Sequence, residues 1–162
     1  MTGRRLPITV LLVSLLVWGS ALGNGGASAY SIKSISAQFY YEEEGRLGAS
    51  DLFEPFTALW NAFIGAGDAE APTSTILILI HIKGPSFRRA PGTLIVNVKE
   101  GSASLLKRRV PLASFYGRGT ELILPFFVSG PRCEPLQIMA SLRGTNWDGK
   151  KITATLPFMC GE

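Results

Sequence analysis

Thr75-Ile76-Leu77-Ile78-Leu79-Ile80-His81-Ile82-Lys83 is the stretch on which the fold turns. Successive side chains of an extended chain point to opposite faces, so the four isoleucines fall on one side and Leu77, Leu79 and His81 on the other. β-Branched residues pack well on a pleated surface and lose rotamer freedom in a helix, which favours a strand here. Since both sides are apolar, the strand is expected to be covered on both faces, by an opposing sheet on one and by some further element on the other.

A candidate cover lies immediately upstream. From Pro55 to Ile64, the residues Phe56, Leu59, Trp60 and Phe63 fall at i, i+3, i+4 and i+7, one apolar stripe at helical spacing. Pro55 suits a first helical turn, Asp51 or Glu54 can accept from free amides near the start, and Gly65 suits a left-handed C-terminal cap. This pattern predicts a short helical insert over about 51–65, packed on the sheet. The functional alternative is an exposed docking helix or lid.

Elsewhere the period is two. Ile35, Ala37, Phe39 and Tyr41 mark a first strand that Glu42-Glu43-Glu44 and Gly45 end, and Leu94, Val96 and Val98 mark a third. Leu106 to Leu112 is a fourth, interrupted by Lys107, Arg108, Arg109 and Pro111, features that an edge position tolerates. Leu122 to Val128 is a fifth, with Pro125 placing it at an edge or a bulge. Leu136 to Leu142 and Ile152 to Phe158 complete the set.

Seven short strands separated by Gly and Pro turns predict an all-β, seven-stranded antiparallel Greek-key sandwich that resembles the immunoglobulin-like type in architecture. The resemblance covers the chain from residue 30 onward apart from the helical insert between strands one and two. It stops short of antibody-type domains, because the second strand has no cysteine and the third no tryptophan.

Cys133 and Cys160 are the two cysteines of the chain and bracket the last two strands. They are expected to form a disulfide, which needs an oxidising compartment. Core-facing residues on both strands are even-numbered, so a regular ladder pairs residues whose numbers sum to an even value, and these two sum to an odd one. A bulge or break in pairing is therefore expected near Pro135, which has no N–H to donate.

The N-terminus gives the same address. Arg4 and Arg5 precede an apolar run from Leu6 to Trp18, and small residues end at Ala27-Ser28-Ala29, the pattern of a signal peptide over residues 1–29. Cleavage after Ala21 is the other option. The run falls short of the roughly 18 to 20 apolar residues that span a bilayer, so a membrane role is expected only if the segment stays uncleaved. The expected location is secreted or periplasmic, with residues 30–162 as one domain.

Without the leader, 14 Lys and Arg face 12 Asp and Glu, a balance that offers no nucleic-acid footprint. The charge is nevertheless uneven: residues 30–75 hold seven acidic and two basic side chains, residues 76–162 twelve basic and five acidic. The simplest expectation is that the two halves complement each other in the folded domain; the alternative is a surface that attracts anionic partners.

His81 is the one histidine, and no local signature supplies it with a nucleophile and an orienting acid. A strand histidine satisfied by its neighbours is the default reading. One histidine and two paired cysteines do not make a zinc site, and of Glu42-Glu43-Glu44 only alternate members would converge on a cation. Gly65-Ala66-Gly67 lacks the Lys-Ser/Thr of a phosphate loop. No catalytic residue, cofactor or metal is therefore expected. Two loop aromatics remain as candidate contacts: Trp147, at the tip of the last hairpin, and Tyr116, in the loop Phe115-Tyr116-Gly117-Arg118-Gly119. The functional expectation is an exported, non-catalytic β-sandwich acting through protein or glycan contacts. The alternatives are a structural subunit of an envelope or extracellular assembly, and a hydrolase with a site around His81.

Overall fold

The computed structural model describes residues 30–55, 57–84, 89–114, 121–130, 133–144 and 147–159. The expected leader, Tyr116 and Cys160 lie outside them. Eight strands are present: β1 (Ser31–Tyr41), β2 (Arg46–Leu47), β3 (Thr75–Lys83), β4 (Arg89–Glu100), β5 (Ala103–Ser114), β6 (Glu121–Ser129), β7 (Leu136–Gly144) and β8 (Lys151–Leu156). They form two four-stranded antiparallel sheets, ordered β2-β1-β3-β6 and β5-β4-β7-β8.

Alternation builds the core. Ala37 and Phe39 of β1, the four isoleucines of β3, Leu94, Val96 and Val98 of β4, and Leu136, Ile138 and Leu142 of β7 are buried in one continuous cluster. Burying an isoleucine of this kind contributes about 2 kcal/mol, so the Ile76-to-Ile82 face alone is a large share of the stability of such a domain. β5 and β6 are edge strands, in keeping with the prolines and charges they carry. Arg108 lies opposite buried Val96, on the side of β5 that faces the sandwich interior. An inward-pointing charge on an edge strand discourages pairing with a second chain.

The strand count is one higher than the sequence pattern suggests, because two-residue β2 is too short to show a period. The helical insert is corrected. Residues 51–55 and 57–65 form a loop with one 3-10 turn, Ala62–Ile64, closed by left-handed Gly65, whose N–H donates to the Ala62 carbonyl at 3.1 Å. The backbone groups that a helix would satisfy internally find tertiary partners instead. The Asp51 carboxylate accepts from the amides of Ala37 (2.9 Å) and Phe53 (3.2 Å), and Ala58 donates to the carboxylate of Asp68. Trp60 bridges Met159 as a short parallel pairing, with Asn61 N–H donating to Met159 and Met159 N–H to Leu59. Leu59 is buried whereas Trp60 and Phe63 are 42% and 46% exposed, so the apolar stripe does not become one face.

What covers the outer face of β3 is therefore not a helix. The rings of Tyr40 on β1 and Phe127 on β6 lie 5.2 Å apart, edge to face. Their strands flank β3 and stand about 9.6 Å from each other, so the rings lean over β3 and shield Leu77, which is 6% exposed.

At the C-terminal end the β7–β8 ladder stops at Leu136 opposite Leu156, one residue from Pro135. Beyond it the chain turns, Phe158 N–H donating back to Leu156, and crosses to Leu59–Asn61. No cysteine among the described residues is a free thiol.

Candidate functional site

The outer face of the first sheet brings His81 two partners that its own strand does not hint at. Ser36 on β1 and Glu121 on β6 sit diagonally on either side of it, because His81 pairs with Ser34 on β1 and with Ile123 on β6. Ser36 Oγ lies 2.9 Å from His81 Nε2, and His81 Nδ1 lies 2.7 Å from Glu121 Oε1. A register shift between Ile32 and Ser34 leaves Lys33 as an extra residue, and its Nζ reaches Glu121 Oε2 at 3.0 Å. Bulges of this kind commonly re-aim a side chain. Hydrogen bonds from Lys33 and then His81 hold the Glu121 carboxyl below the ordinary carboxylate range. As an ionised acceptor, Glu121 places the imidazole proton on Nδ1 and leaves Nε2 free to accept from the Ser36 hydroxyl.

Serine, histidine and carboxylate in that order are the parts of an acyl-transfer triad. Such chemistry also needs donors for the developing oxyanion, typically including the amide that follows the nucleophile. Here that amide, Ala37 N–H, donates to Asp51 Oδ1. The three side chains lie across adjacent strands of a sheet face. One cavity, of about 400 Å³, opens beside the β1–β2 edge, with Tyr41, Gly48, Glu54, Asp68 and Glu70 in its lining.

The acidic segment serves the fold locally. Glu42 accepts from Thr73 Oγ1 (3.1 Å), Ser74 N (3.2 Å) and Ser74 Oγ (2.9 Å), while Glu44 and Glu70 clasp Arg46, whose guanidinium lies 4.5 Å over the Tyr41 ring. Burial raises the Glu42 pKa, but hydrogen bonds from Thr75, its own backbone, Ser74 and Thr73 outweigh it and bring the value to about 2. Glu42 and Glu44 point to different partners and do not converge. Among the described residues no three His, Cys, Asp or Glu side chains gather as a metal site would require.

Trp147, a candidate contact by its place in the sequence, is buried. Its ring is 7% exposed and lies 4.7 Å from that of Tyr30, and the two residues form a parallel bridge. A Cβ on Gly92 would stand 2.4 Å from the indole Nε1, and one on Gly84 2.0 Å from the Tyr30 ring, so two glycines make room for this aromatic pair. Asp148 N–H donates to the Tyr30 carbonyl at 3.1 Å, so Trp147 packs beside the residue that precedes β1. Among the described residues one ion pair, Lys33–Glu121, joins the two halves of the chain. The ion pairs among the described residues are Lys33–Glu121, Arg46–Glu44, Arg46–Glu70 and His81–Glu121, and none joins a base of residues 76–162 to an acid of residues 30–75.

No protein-family model matches the chain, and no curated protein matches it in sequence. Among solved structures, it is similar to a Bacteroides fragilis chain provisionally named a β-galactosidase, at 16% identity and a TM-score of 0.37. The match covers 52% of this chain and 14% of that one, a likeness too slight to bear on activity. Ser36 and Glu121 were not singled out by the sequence. The one available signal is His81 itself, a polar residue in an apolar strand, which calls for polar partners on whichever strands flank it.

Proposed function

We propose that the chain is an exported, non-catalytic β-sandwich of immunoglobulin-like Greek-key type that acts through protein or glycan contacts. The sheet orders support the finer topology: β1, β3 and β6 lie side by side on one sheet and β5, β4, β7 and β8 on the other, with β2 a short addition to the first. Export rests on the leader pattern of residues 1–29 and on a Cys133–Cys160 bridge, which agrees with the lack of a free thiol at Cys133. The observation that carries the non-catalytic reading is the Ala37 N–H bond to Asp51, which occupies the donor a nucleophilic Ser36 would need. Hydrolysis of p-nitrophenyl acetate and butyrate tests it. Wild type and Ser36→Ala should match the buffer background, and a rate that disappears with Ser36→Ala would overturn the reading.

One specific observation favours hydrolysis as the second reading. Ser36, His81 and Glu121 already have the spacing of nucleophile, base and orienter. In that case Ser36 Oγ attacks an ester carbonyl, His81 takes its proton, and Asp51 has to release the Ala37 amide.

A further inference from the structure

We infer that the outer face of the second sheet is a binding site for an anionic polysaccharide, an inference that rests on the contact reading and names its ligand. The register of four strands lays out the face as rows. Arg109 lies opposite Ile95, Ile95 opposite Ser141, and Ser141 opposite Lys151. The next row is Lys107, Asn97, Met139 and Thr153. Lys99, beside Gln137, and Arg143, beside Thr93, extend the face at its two ends. Alternation on the central strands confirms the assignment, since Leu94, Val96, Val98, Ile138, Ala140 and Leu142 point inward and are buried.

Five cations thus share one sheet face, and no carboxylate stands in its rows. Glu100 is buried on the opposite side of β4, and Glu134 and Asp148 belong to loops beyond the strand ends. None of the five takes part in an ion pair among the described residues. Defence of the sheet edges explains charges on β5 and β8, but Lys99 and Arg143 stand on the central strands β4 and β7, where no edge needs defending. Neighbours across the rows are about 5 Å apart and along a strand about 7 Å, so Arg109 and Lys151 are roughly 14 Å from each other. Between the cations lie Asn97, Gln137, Ser141 and Thr153, uncharged groups that hydrogen-bond to hydroxyls.

This chemistry separates the possible polyanions. Among the described residues the exposed large apolar side chains, Leu47, Trp60, Phe63, Ile64, Ile123, Phe127 and Met159, all lie elsewhere, so the rows offer nothing to insert into a bilayer. Among the described residues the face has no aromatic platform for stacking bases and no projecting helix or ribbon for a duplex groove. A chain of sugars bearing carboxylates or sulfates needs dispersed cations with hydroxyl partners between them, as found here.

The test is binding of the purified full chain to polygalacturonate and to dextran sulfate, with neutral dextran, duplex DNA and phosphatidylserine vesicles as comparison arms. Binding to one or both acidic polysaccharides is expected at low salt, weakening as salt rises, with neutral dextran unbound. An exposed ion pair is worth roughly a two- to threefold change in affinity, so Lys107→Gln/Arg109→Gln/Lys151→Gln should weaken binding about tenfold. Lys33→Gln, on the other sheet, should leave it unchanged. If the triple variant does not fold, Lys99→Gln and Arg143→Gln each supply the same comparison. Unchanged affinity in the folded variants, equal binding of neutral dextran, or tighter binding of DNA or vesicles overturns the inference. Failure to bind any polyanion removes this ligand while leaving the contact reading in place; that reading falls instead on serine-dependent hydrolysis.

Discussion

Gly92 and Trp147 form a pair whose coupling can be worked out from geometry. A Cβ at Gly92 would stand 2.4 Å from the indole Nε1 and 2.6 Å from Cε2, closer than real Cβ atoms approach. The indole is itself held against Tyr30 at 4.7 Å, so it has little room to retreat. Gly92→Ala should therefore destabilise by about 2 to 3 kcal/mol, the cost of overpacking, although alanine in a strand is otherwise favoured over glycine by about 0.5 to 1 kcal/mol. Trp147→Ala removes a side chain that is 7% exposed and should cost about 3 to 5 kcal/mol. In the double variant the steric conflict is gone, and adding Gly92→Ala should cost about 1 kcal/mol or less, the residue of a 3.0 Å approach to the Arg143 carbonyl. Urea denaturation of the four proteins measures the cycle. A coupling of more than about 1 kcal/mol supports the packed indole. Additive costs, or a Trp147→Ala protein as stable as wild type, would mean that the indole is not packed and would restore Trp147 as an exposed contact.

Other consequences follow from the charged groups and the cysteines. Glu42 has a pKa lowered from 4.5 to about 2, so its stabilisation is present above the unfolded value and is lost as pH falls toward 2. Discounted for its exposure to solvent, the contribution is about 1 kcal/mol; Glu42→Gln should lose that much at pH 7 and match wild type near pH 2, read by urea denaturation across pH. Glu121 owes its lowered pKa first to Lys33, so in Lys33→Gln its carboxyl should titrate nearer the ordinary range by carbon-detected NMR. An unchanged titration would show that the Lys33 contact does not persist in solution. Intact mass of exported protein should show two hydrogens fewer than the reduced chain, and Cys133→Ser should lose roughly 3 to 4 kcal/mol, the loop-closure estimate for a bridge to Cys160. Two alkylatable thiols would contradict both the bridge and the compartment inferred from it.

Period-two alternation located the seven long strands because each buries one face against the other sheet, and Pro111 and Pro125 marked β5 and β6 as edges because neither can donate to a ladder. Tertiary hydrogen bonds overrode the helical spacing of Phe56 to Phe63: Asp51, Asp68 and Met159 take the local backbone groups into long-range contacts that no local pattern records. The buried state of Trp147 depends on glycines far off in sequence, Gly92 beneath it and Gly84 beneath Tyr30. Ser36, His81 and Glu121 meet only because β1 and β6 flank β3, and Lys33 joins them only through a bulge. Such pairings are long-range facts, and one sequence contains just the parity of the outward-facing residues. The excess of basic residues after residue 75 was legible, but its concentration on one sheet face required the register of four strands.

The proposed non-catalytic reading requires that the hydrogen-bonded Ser36, His81 and Glu121 do not carry out acyl transfer. Intact-mass analysis after incubation with a fluorophosphonate tests it most directly, because that reagent adds covalently to a serine activated by a histidine base. An unmodified chain is expected, in wild type and in Asp51→Asn alike. A stoichiometric adduct mapped to Ser36 and absent from His81→Ala would contradict it.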